Sequence, residues 1–401
     1  MSRNSLSKKR IAVVNSHPIQ YFAPLYAYLN RDPDLEITAL YCSDFSLRGA
    51  TDPGFKQQII WDIDLLRGYP SVFLGKRAKR RSPRGFFSLV CPEVWNEIRS
   101  GRYDVLWLHG YNYAAYVIAF FAAKSINIPV FMRTETHIGL QRAGLRRGLR
   151  DGILSIAYRF IDGFLAIGTA NRDYYLELGV PARKIFSVPY AVDNDRFIPA
   201  AQLTPEERAG ERRRFGLHPD LPVVLYASKF MPRKHPDDVL RAMAVICQQG
   251  LRATLFMVGT GEMEDDLRAL AKQLQLDNIV FGGFINQVEL PKAYAVSDIF
   301  VLPAKCEPWG LIVNEVMCAG LPVVASDEVG CVGDLVHDGD NGLHIRAGDV
   351  QSLHHALGRL ICDDQLRSKM GQRSLQIIRG WSYEQCRIGL QTAVKGVEAS
   401  K

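Results

Sequence analysis

Two glutamates stand eight positions apart in the stretch CEPWGLIVNEVMCAGLPVVAS. Glu307 precedes a glycine turn and Glu315 follows an apolar run, so the pattern predicts a helix that Gly310 opens and Gly320 ends. The first N–H groups of a helix lack partners within it and lie at the positive end of its dipole, which favours phosphate. Carboxylates on either side of that end predict hydrogen bonds to sugar or ribose hydroxyls.

A structural interpretation of the same pair competes with this one. Glu307 would then be a charge near a helix N-terminus, and Glu315 a solvated helix residue. The letters LIV before Glu315 and VMCAG after it leave little room for a solvated face. The sequence therefore favours the interpretation in which both carboxylates bind a ligand.

Basic residues follow another predicted strand, in ASKFMPRKHPDDVL. The strand should end near Ala227, and Lys229, Arg233 and Lys234 come before a helix expected from Pro236. Ligands of parallel sheets bind at the carboxyl ends of the strands, so this loop suits a polyanion. The alternative is an ordinary solvated basic loop.

A G-x-G pair follows a further strand, in VGTGEMEDDL. Glu264 stands where a dinucleotide fingerprint needs its third glycine, so the fingerprint is incomplete. Gly259 and Gly261 therefore predict only a tight turn or a close backbone approach.

Strand-sized apolar runs alternate with helical patterns through most of the chain, which predicts parallel sheets covered by helices. The alternation of strand and helix patterns is interrupted over 186–210, where prolines and charged residues suggest a linker. We therefore expect two Rossmann-like α/β domains, at 1–190 and 200–380. A last helix at 381–401 is expected to pack back on the first domain.

The bulk properties limit the partners. The 401 residues carry a net charge of +7, but residues 1–200 hold 27 Lys and Arg against 17 Asp and Glu. That excess suits nucleic acid, an anionic membrane or a phosphorylated substrate. No signature of a nucleic-acid-binding fold is present. The eight scattered cysteines and the absence of an apolar run near 20 residues predict a cytoplasmic chain without a spanning helix.

The segment EPWGLIVNE resembles the E-x7-E motif of the retaining, nucleotide-sugar-dependent glycosyltransferases of family 4, the glycosyl transferases of group 1. SKFMPRK is similar to their G-R-L-x-x-x-K segment, with Ser228 and Lys229 where Gly and Arg are usual. The resemblance is good over about 164–345 and looser before that. It implies the GT-B fold, with two Rossmann-like domains whose parallel sheets face a central cleft.

The resemblance implies a role for each matched position. Lys229 and Lys234 would hold the donor's diphosphate and stabilise it as it leaves. Glu307 would contact the transferred sugar, and Glu315 the ribose. The remaining donor contacts would come from backbone N–H groups of Gly310, Leu311 and Ile312 to the phosphates, from the backbone near Ile285 to the base, and from Gly261.

The first domain departs more from the family. SHPIQYFAPL follows the first strand without the glycines that the family usually has there. FMRTETHIGL offers Arg133, Glu135 and His137 where the family tends to place a histidine facing the donor sugar, and the sequence does not decide among them. His17, Glu135 and His137 are therefore our candidates for the cleft. The alternative makes His17 a turn residue and His137 a surface residue.

The activity implied is glycosyl transfer from a nucleoside-diphosphate sugar to a saccharide or lipid-linked acceptor, without a cofactor. Metal independence is expected, because no D-x-D stands in a suitable loop, and two lysines with a helix N-terminus supply electrostatics similar to those of a metal ion.

The alternative functions are a GT-B sugar-nucleotide epimerase and a non-catalytic nucleotide-sugar-binding protein. The basic run KRAKRRSPR and Arg142, Arg146, Arg147 and Arg150 suggest an anionic membrane surface as a further partner, against a solvated loop and helix.

Overall fold

The computed structural model describes residues 8–49, 51–52, 57–74, 85–137 and 145–399. The chain forms two compact α/β units. The first unit consists of Met1–Ala50, Ile59–Tyr190 and Tyr383–Lys401, and the second of Thr51–Gln58 and Ala191–Ser382.

The first unit is built on a parallel sheet. Its strands in chain order are β1 (Lys9–Asn15), β2 (Leu35–Tyr41), β5 (Ser71–Phe73), β6 (Val105–Leu108), β7 (Val130–Met132), β8 (Gly163–Ala166) and β9 (Ile185–Ser187). A separate antiparallel pair, β3 (Thr51–Asp52) and β4 (Gln57–Gln58), belongs to the second unit. The spatial order is β5-β2-β1-β6-β7-β8-β9, with every pairing parallel. The central strands β6 and β8 are buried along their whole length, as expected for a sheet covered on both faces.

Helices cover this sheet. They are α1 (Ala23–Leu29), α2 (Glu93–Arg99), α3 (Ala114–Ser125), α4 (Leu145–Tyr158) and α5 (Thr169–Glu177). Side chains from α2, α3, α4 and α5 share one apolar core with the strands, so these four helices form one layer. Alanines of α3 supply much of its buried face, which lets the helix lie close to the sheet.

The second unit repeats the architecture. Its strands are β10 (Val223–Ala227), β11 (Thr254–Val258), β12 (Ile279–Gly283), β13 (Ile299–Leu302), β14 (Val323–Ser326) and β15 (Gly342–Ile345). They pair in parallel in the order β12-β11-β10-β13-β14-β15. Its helices are α6 (Asn194–Ala200), α7 (Pro205–Arg214), α8 (Pro236–Gln248), α9 (Glu264–Gln273), α10 (Leu290–Ala295), α11 (Leu311–Cys318), α12 (Val332–Leu335), α13 (Val350–Cys362) and α14 (Asp364–Ile378).

The last helix, α15 (Tyr383–Glu398), belongs to the first unit, where it packs against β8, β9 and α1. Gly389 permits this approach, because a Cβ at that position would lie 1.8 Å from the Ser187 carbonyl oxygen. Ion pairs hold the outer side, where the Arg387 guanidinium lies 2.8 Å from an Asp32 carboxylate oxygen.

The two parallel α/β sheets confirm the predicted fold class. The stretch 186–210, interpreted as a linker, includes the boundary between the two units at Tyr190 and Ala191, and it also contains all of α6 and the start of α7. The Asp193 side chain caps α6, and Thr204 and Glu207 form a capping box at α7. Polar residues that suggested a loop are thus the caps of short helices.

Candidate functional site

The loops after β10 and β13 hold the expected site residues Lys234 and Glu307. These strands are neighbours at the centre of the sheet, with Val224 beside Ile299. The parallel arrangement brings both carboxyl ends to one edge, and with them the loops that hold Lys234 and Glu307. The Lys305 amide ties the two loops together by donating to the Arg233 carbonyl oxygen at 2.7 Å.

Glu307 faces two cations. The Lys234 ammonium donates to Glu307 Oε2, and the Arg233 guanidinium reaches the same oxygen at 2.9 Å. Lys234 is only 7% exposed, although Arg233 remains half in solvent. Burial lowers the pKa of the Lys234 ammonium, and the Glu307 carboxylate opposes that shift. The result is a desolvated cation held at a strand end by one carboxylate.

Backbone hydrogen bonds fix the loop around Glu307. Its amide donates to the Glu328 carbonyl oxygen at 3.1 Å, and its carbonyl oxygen accepts from Gly330 at 3.0 Å. Cys306, just before it, has a positive φ of 52°, an uncommon conformation for a residue with a side chain. The carboxylate is therefore aimed by a constrained turn.

Gly310 introduces α11 in the left-handed region, at φ 88°. A Cβ there would also lie 3.1 Å from Val329 Cγ1, so glycine is favoured twice. Leu311 and Ile312 form the first turn, whose amides precede the helix's own hydrogen bonds. Trp309 anchors this end, because its indole N–H donates to Asn314 Oδ1 at 2.9 Å.

Glu315 lies inside α11 and is 1% exposed. The Tyr294 hydroxyl, at the end of α10, donates to Glu315 Oε2 at 2.5 Å. The interpretation of Glu315 as a solvated helix residue is therefore wrong. A buried carboxylate held on one oxygen by a tyrosine is a candidate acceptor for ligand hydroxyls.

The other expected donor residues occupy neighbouring loops. Lys229 follows β10 and is half-buried, and Ile285 follows β12 and is half-buried as well. Because β10, β11, β12 and β13 are adjacent, these residues lie at the same edge of the sheet as Lys234 and Glu307. Their direct contact with a ligand stays a prediction.

Gly259 and Gly261 pack against the loop after β10. Added Cβ atoms would meet the carbonyl oxygens of Ser228 at 2.1 Å and Phe230 at 2.3 Å. Phe230 also donates its amide to the Thr260 carbonyl oxygen at 2.9 Å. The G-x-G pair thus brings the backbone of one loop against the other, as a close approach requires.

Gly261→Ala should therefore destabilise the fold by about 1–3 kcal/mol, because the clash is with backbone and cannot be relieved by a rotamer. The midpoint of urea unfolding measures the loss. Gly333→Ala in α12 is the matched control, since a Cβ there meets nothing within 4 Å. An unchanged midpoint for Gly261→Ala would mean that the loops are not packed as described.

The first unit gathers its candidates at one sheet edge. His17 follows β1, and Glu135 and His137 follow β7, with β6 between these strands. Glu135 is exposed and accepts a hydrogen bond from the Tyr190 hydroxyl. His137 is buried, which contradicts its interpretation as a surface residue. His17 is half-buried, and its Nδ1 lies 3.0 Å from the Ser16 hydroxyl oxygen.

Sequence reasoning missed His109, which follows β6 at the same edge. The Tyr26 hydroxyl accepts from the Asn15 side-chain amide, and its oxygen lies 2.8 Å from His109 Nε2, within hydrogen-bond distance. Burial and Arg133 lower the pKa of His109, which favours the neutral ring. The sequence does contain a signal for His109, because this histidine directly follows the strand-like run DVLWL.

Arg133 turns into the interior of the first unit and is 2% exposed. Its guanidinium lies 4.5 Å from the centre of the Tyr190 ring and donates to the carbonyl oxygens of Val188 and Pro189, both at 3.1 Å. The side chain therefore supports the segment after β9 from within.

Within the described ranges, no group of three or more His, Cys, Asp or Glu residues could hold a metal ion. None of the helices described there is long and apolar enough to cross a membrane. The metal-independent chemistry expected from the sequence stays a prediction.

Two family models match the chain. Glycosyl transferases group 1 covers residues 207–376, which contain Lys234, Glu307 and Glu315, and the Glycosyl transferase 4-like domain covers 63–191. Between them the two models span most of the chain, which supports a glycosyltransferase of family 4 type. The resemblance inferred from the motifs is thereby confirmed.

Individual relatives support the same family. The GDP-mannose-dependent alpha-(1-6)-phosphatidylinositol monomannoside mannosyltransferase of Mycolicibacterium smegmatis is 32% identical over 48% of this chain, and the match spans only half of that relative's length. The D-inositol 3-phosphate glycosyltransferase of Nocardia farcinica is 28% identical over 75% of this chain and 69% of its own. Anabaena Alr3699/HepE, solved in complex with UDP and glucose, shares the fold with a TM-score of 0.72 over 96% of this chain and 99% of its own, at 18% identity.

Proposed function

We propose that this group 1 glycosyltransferase moves a sugar from a nucleoside-diphosphate sugar to an acceptor hydroxyl with retention of anomeric configuration. The bond between the anomeric carbon and the diphosphate breaks, and its electron pair leaves with the diphosphate. The acceptor oxygen forms the new bond on the same face of the sugar, and its proton passes to the departing diphosphate. No cofactor takes part, and the expected cytoplasmic location stays a prediction.

One observation carries the proposal. Lys234, Arg233 and Glu307 meet at adjacent strand ends, in the segment that the family model matches. Negative charge grows on the departing diphosphate in the transition state. Fixed positive groups aimed at that charge lower the barrier, and more strongly where water is excluded, as around Lys234.

The site divides into subsites for the donor. We assign the diphosphate to Lys234, Lys229 and the first turn of α11, whose Gly310, Leu311 and Ile312 amides surround the helix's positive end. We assign the transferred sugar to Glu307, whose carboxylate is oriented by the turn at Cys306. We assign the ribose to Glu315 and the base to the backbone near Ile285. Gly261 packs against Phe230 in the loop after β10 and so positions that loop beside the donor.

The identities of the donor and the acceptor are proposals that rest on the relatives. GDP-mannose is named for the mycobacterial relative, and UDP for the Anabaena structure, so these two nucleotides are the first to try. We expect an acceptor of the saccharide or lipid-linked kind, in bacterial-type polysaccharide, lipopolysaccharide or glycolipid assembly.

Product analysis tests the proposal against its alternatives. The chain is incubated with GDP-mannose or a UDP-hexose and a panel of saccharide and lipid-linked acceptors, and products are resolved by mass spectrometry and NMR. A transferase releases the nucleoside diphosphate and builds an acceptor glycoside of retained configuration. An epimerised sugar formed without acceptor, or donor binding without turnover in any mixture, would assign the site to the epimerase or the binding protein instead.

Glu315→Gln should weaken donor binding while sparing the chemical step. Ribose contacts exist in both ground and transition states, so their loss raises KM by about tenfold and leaves kcat within about twofold. The glutamine oxygen still accepts from Tyr294, which keeps the fold. Glu289→Gln, at an exposed ion pair of the same unit, is the control. A large fall in kcat at unchanged KM would remove Glu315 from the ribose subsite.

A further inference from the structure

Helix α4 of the first unit presents large apolar side chains to solvent. Leu149 is 71% exposed, and Ile153, Ile156 and Phe160 are each 60% exposed. Leu149, Ile153 and Ile156 are spaced by four and three residues and lie on one stripe of the helix, and Phe160 lies in the turn that continues α4 past Tyr158. Leu154 and Tyr158 on the other side are buried in the core. The helix is thus apolar on two faces, one buried in the core and one exposed.

The exposed stripe is not isolated in its layer. Phe121 of α3 is 56% exposed, and Phe87, just before α2, is 78% exposed. Helix α3 shares the core of α4, and Leu89, two residues after Phe87, is buried in the same core. Single exposed apolar residues need no explanation, but several large ones on one helical layer mark a binding surface.

Basic residues border this stripe, and the region 145–160 has a single acid. That acid, Asp151, pairs with Arg150 at 2.8 Å. Helical spacing puts Arg150 on one flank of the stripe, and the turn that continues α4 past Tyr158 puts the exposed Arg159 on the other. Arg146 and Arg147 lie in the helix too, though their side chains are outside what the structure describes, as are Arg142 and all of KRAKRRSPR.

We propose that the exposed stripe of α4 docks on an anionic bilayer. The apolar side chains would enter the boundary between headgroups and acyl chains, while the flanking arginines keep their charges at the phosphates. Anionic headgroups complement a surface that has arginine on both flanks. The inference goes beyond the transfer reaction and stands on the surface alone.

A second copy of the chain fits this surface less well. Two identical helices paired about a twofold axis would bring arginine flanks together, since the same patch serves both partners. Asp151, the one carboxylate of the segment, is already paired with its neighbour. Like charges facing each other across an interface oppose association.

Vesicle co-sedimentation tests the proposal. The full chain is mixed with vesicles of phosphatidylglycerol and phosphatidylcholine, or of phosphatidylcholine alone, at low and high salt. The protein should pellet with the anionic vesicles and be released by salt. The double change Ile153→Gln with Ile156→Gln should lower the partition coefficient about tenfold or more. Ile388→Gln, at a position on α15 that is 48% exposed, should leave binding unchanged.

The opposite outcomes are equally clear. Wild-type protein left in the supernatant with anionic vesicles at low salt would overturn the proposal, as would a folded double variant that pellets like wild type. A dimer in sedimentation velocity that the double change abolishes, without vesicle binding, would assign the surface to a second copy. Circular dichroism checks the fold, and nucleotide-sugar binding by the same samples shows that the donor site is separate.

Discussion

Lys234→Ala should lower kcat by about a hundred- to a thousandfold, because it removes a desolvated cation aimed at the leaving diphosphate. The protein should still fold, since Arg233 continues to neutralise Glu307 at 2.9 Å. Steady-state release of the nucleoside diphosphate measures the effect. Lys272→Ala, an exposed lysine at the end of α9, should turn over like wild type. Near-normal turnover by Lys234→Ala would refute the electrostatic account of catalysis.

The same lysine predicts a pH dependence. Burial lowers the pKa of Lys234, so its ammonium loses the proton at a lower pH than an ordinary lysine does. Affinity for a nucleoside diphosphate should therefore fall as the pH rises into the alkaline range. The fall should be absent in Lys234→Ala, whose affinity is already low.

Glu307→Gln should lower kcat by about ten- to a hundredfold without raising KM. The carboxylate stabilises a sugar that becomes cationic in the transition state, and the amide does not. The change also leaves Lys234 and Arg233 without their shared counterion, so ground-state affinity for the diphosphate should hold or increase. Both constants are read from initial rates at varied donor concentration.

Glu289→Gln is again the control, because Glu289 pairs with Arg214 and Lys292 on the outside of the unit. If Glu307→Gln and Glu315→Gln had equal effects, confined to KM, the division of labour between the two glutamates would be wrong.

The fold could be predicted because its signal is local. Apolar runs such as RIAVVNS and ATLFMVGTG are strands in the structure, as β1 and β11, and the helix expected from Gly310 is α11. The helices α6 and α7 were hidden because polar caps resemble loop residues.

The candidate site could be predicted only in part, for the same reason. The residues of α11 and of the loop after β10 stand in contiguous motifs. The Tyr294 hydrogen bond to Glu315 joins residues 21 positions apart, and the ion pair of Lys234 with Glu307 spans 73, so neither follows from spacing. In the first unit, a short motif could not show that Arg133 turns inward while Glu135 faces solvent.

The most direct test of the central claim is calorimetric titration of the chain with a nucleoside, its monophosphate, its diphosphate and its diphosphate sugar, for guanosine and uridine. The account predicts that one base series binds, that the diphosphate exceeds the nucleoside in affinity by at least about a hundredfold, and that Lys234→Ala abolishes this preference while Lys272→Ala keeps it. Equal affinity for nucleoside and diphosphate, or a diphosphate preference unchanged in Lys234→Ala, would contradict a diphosphate site at these loops.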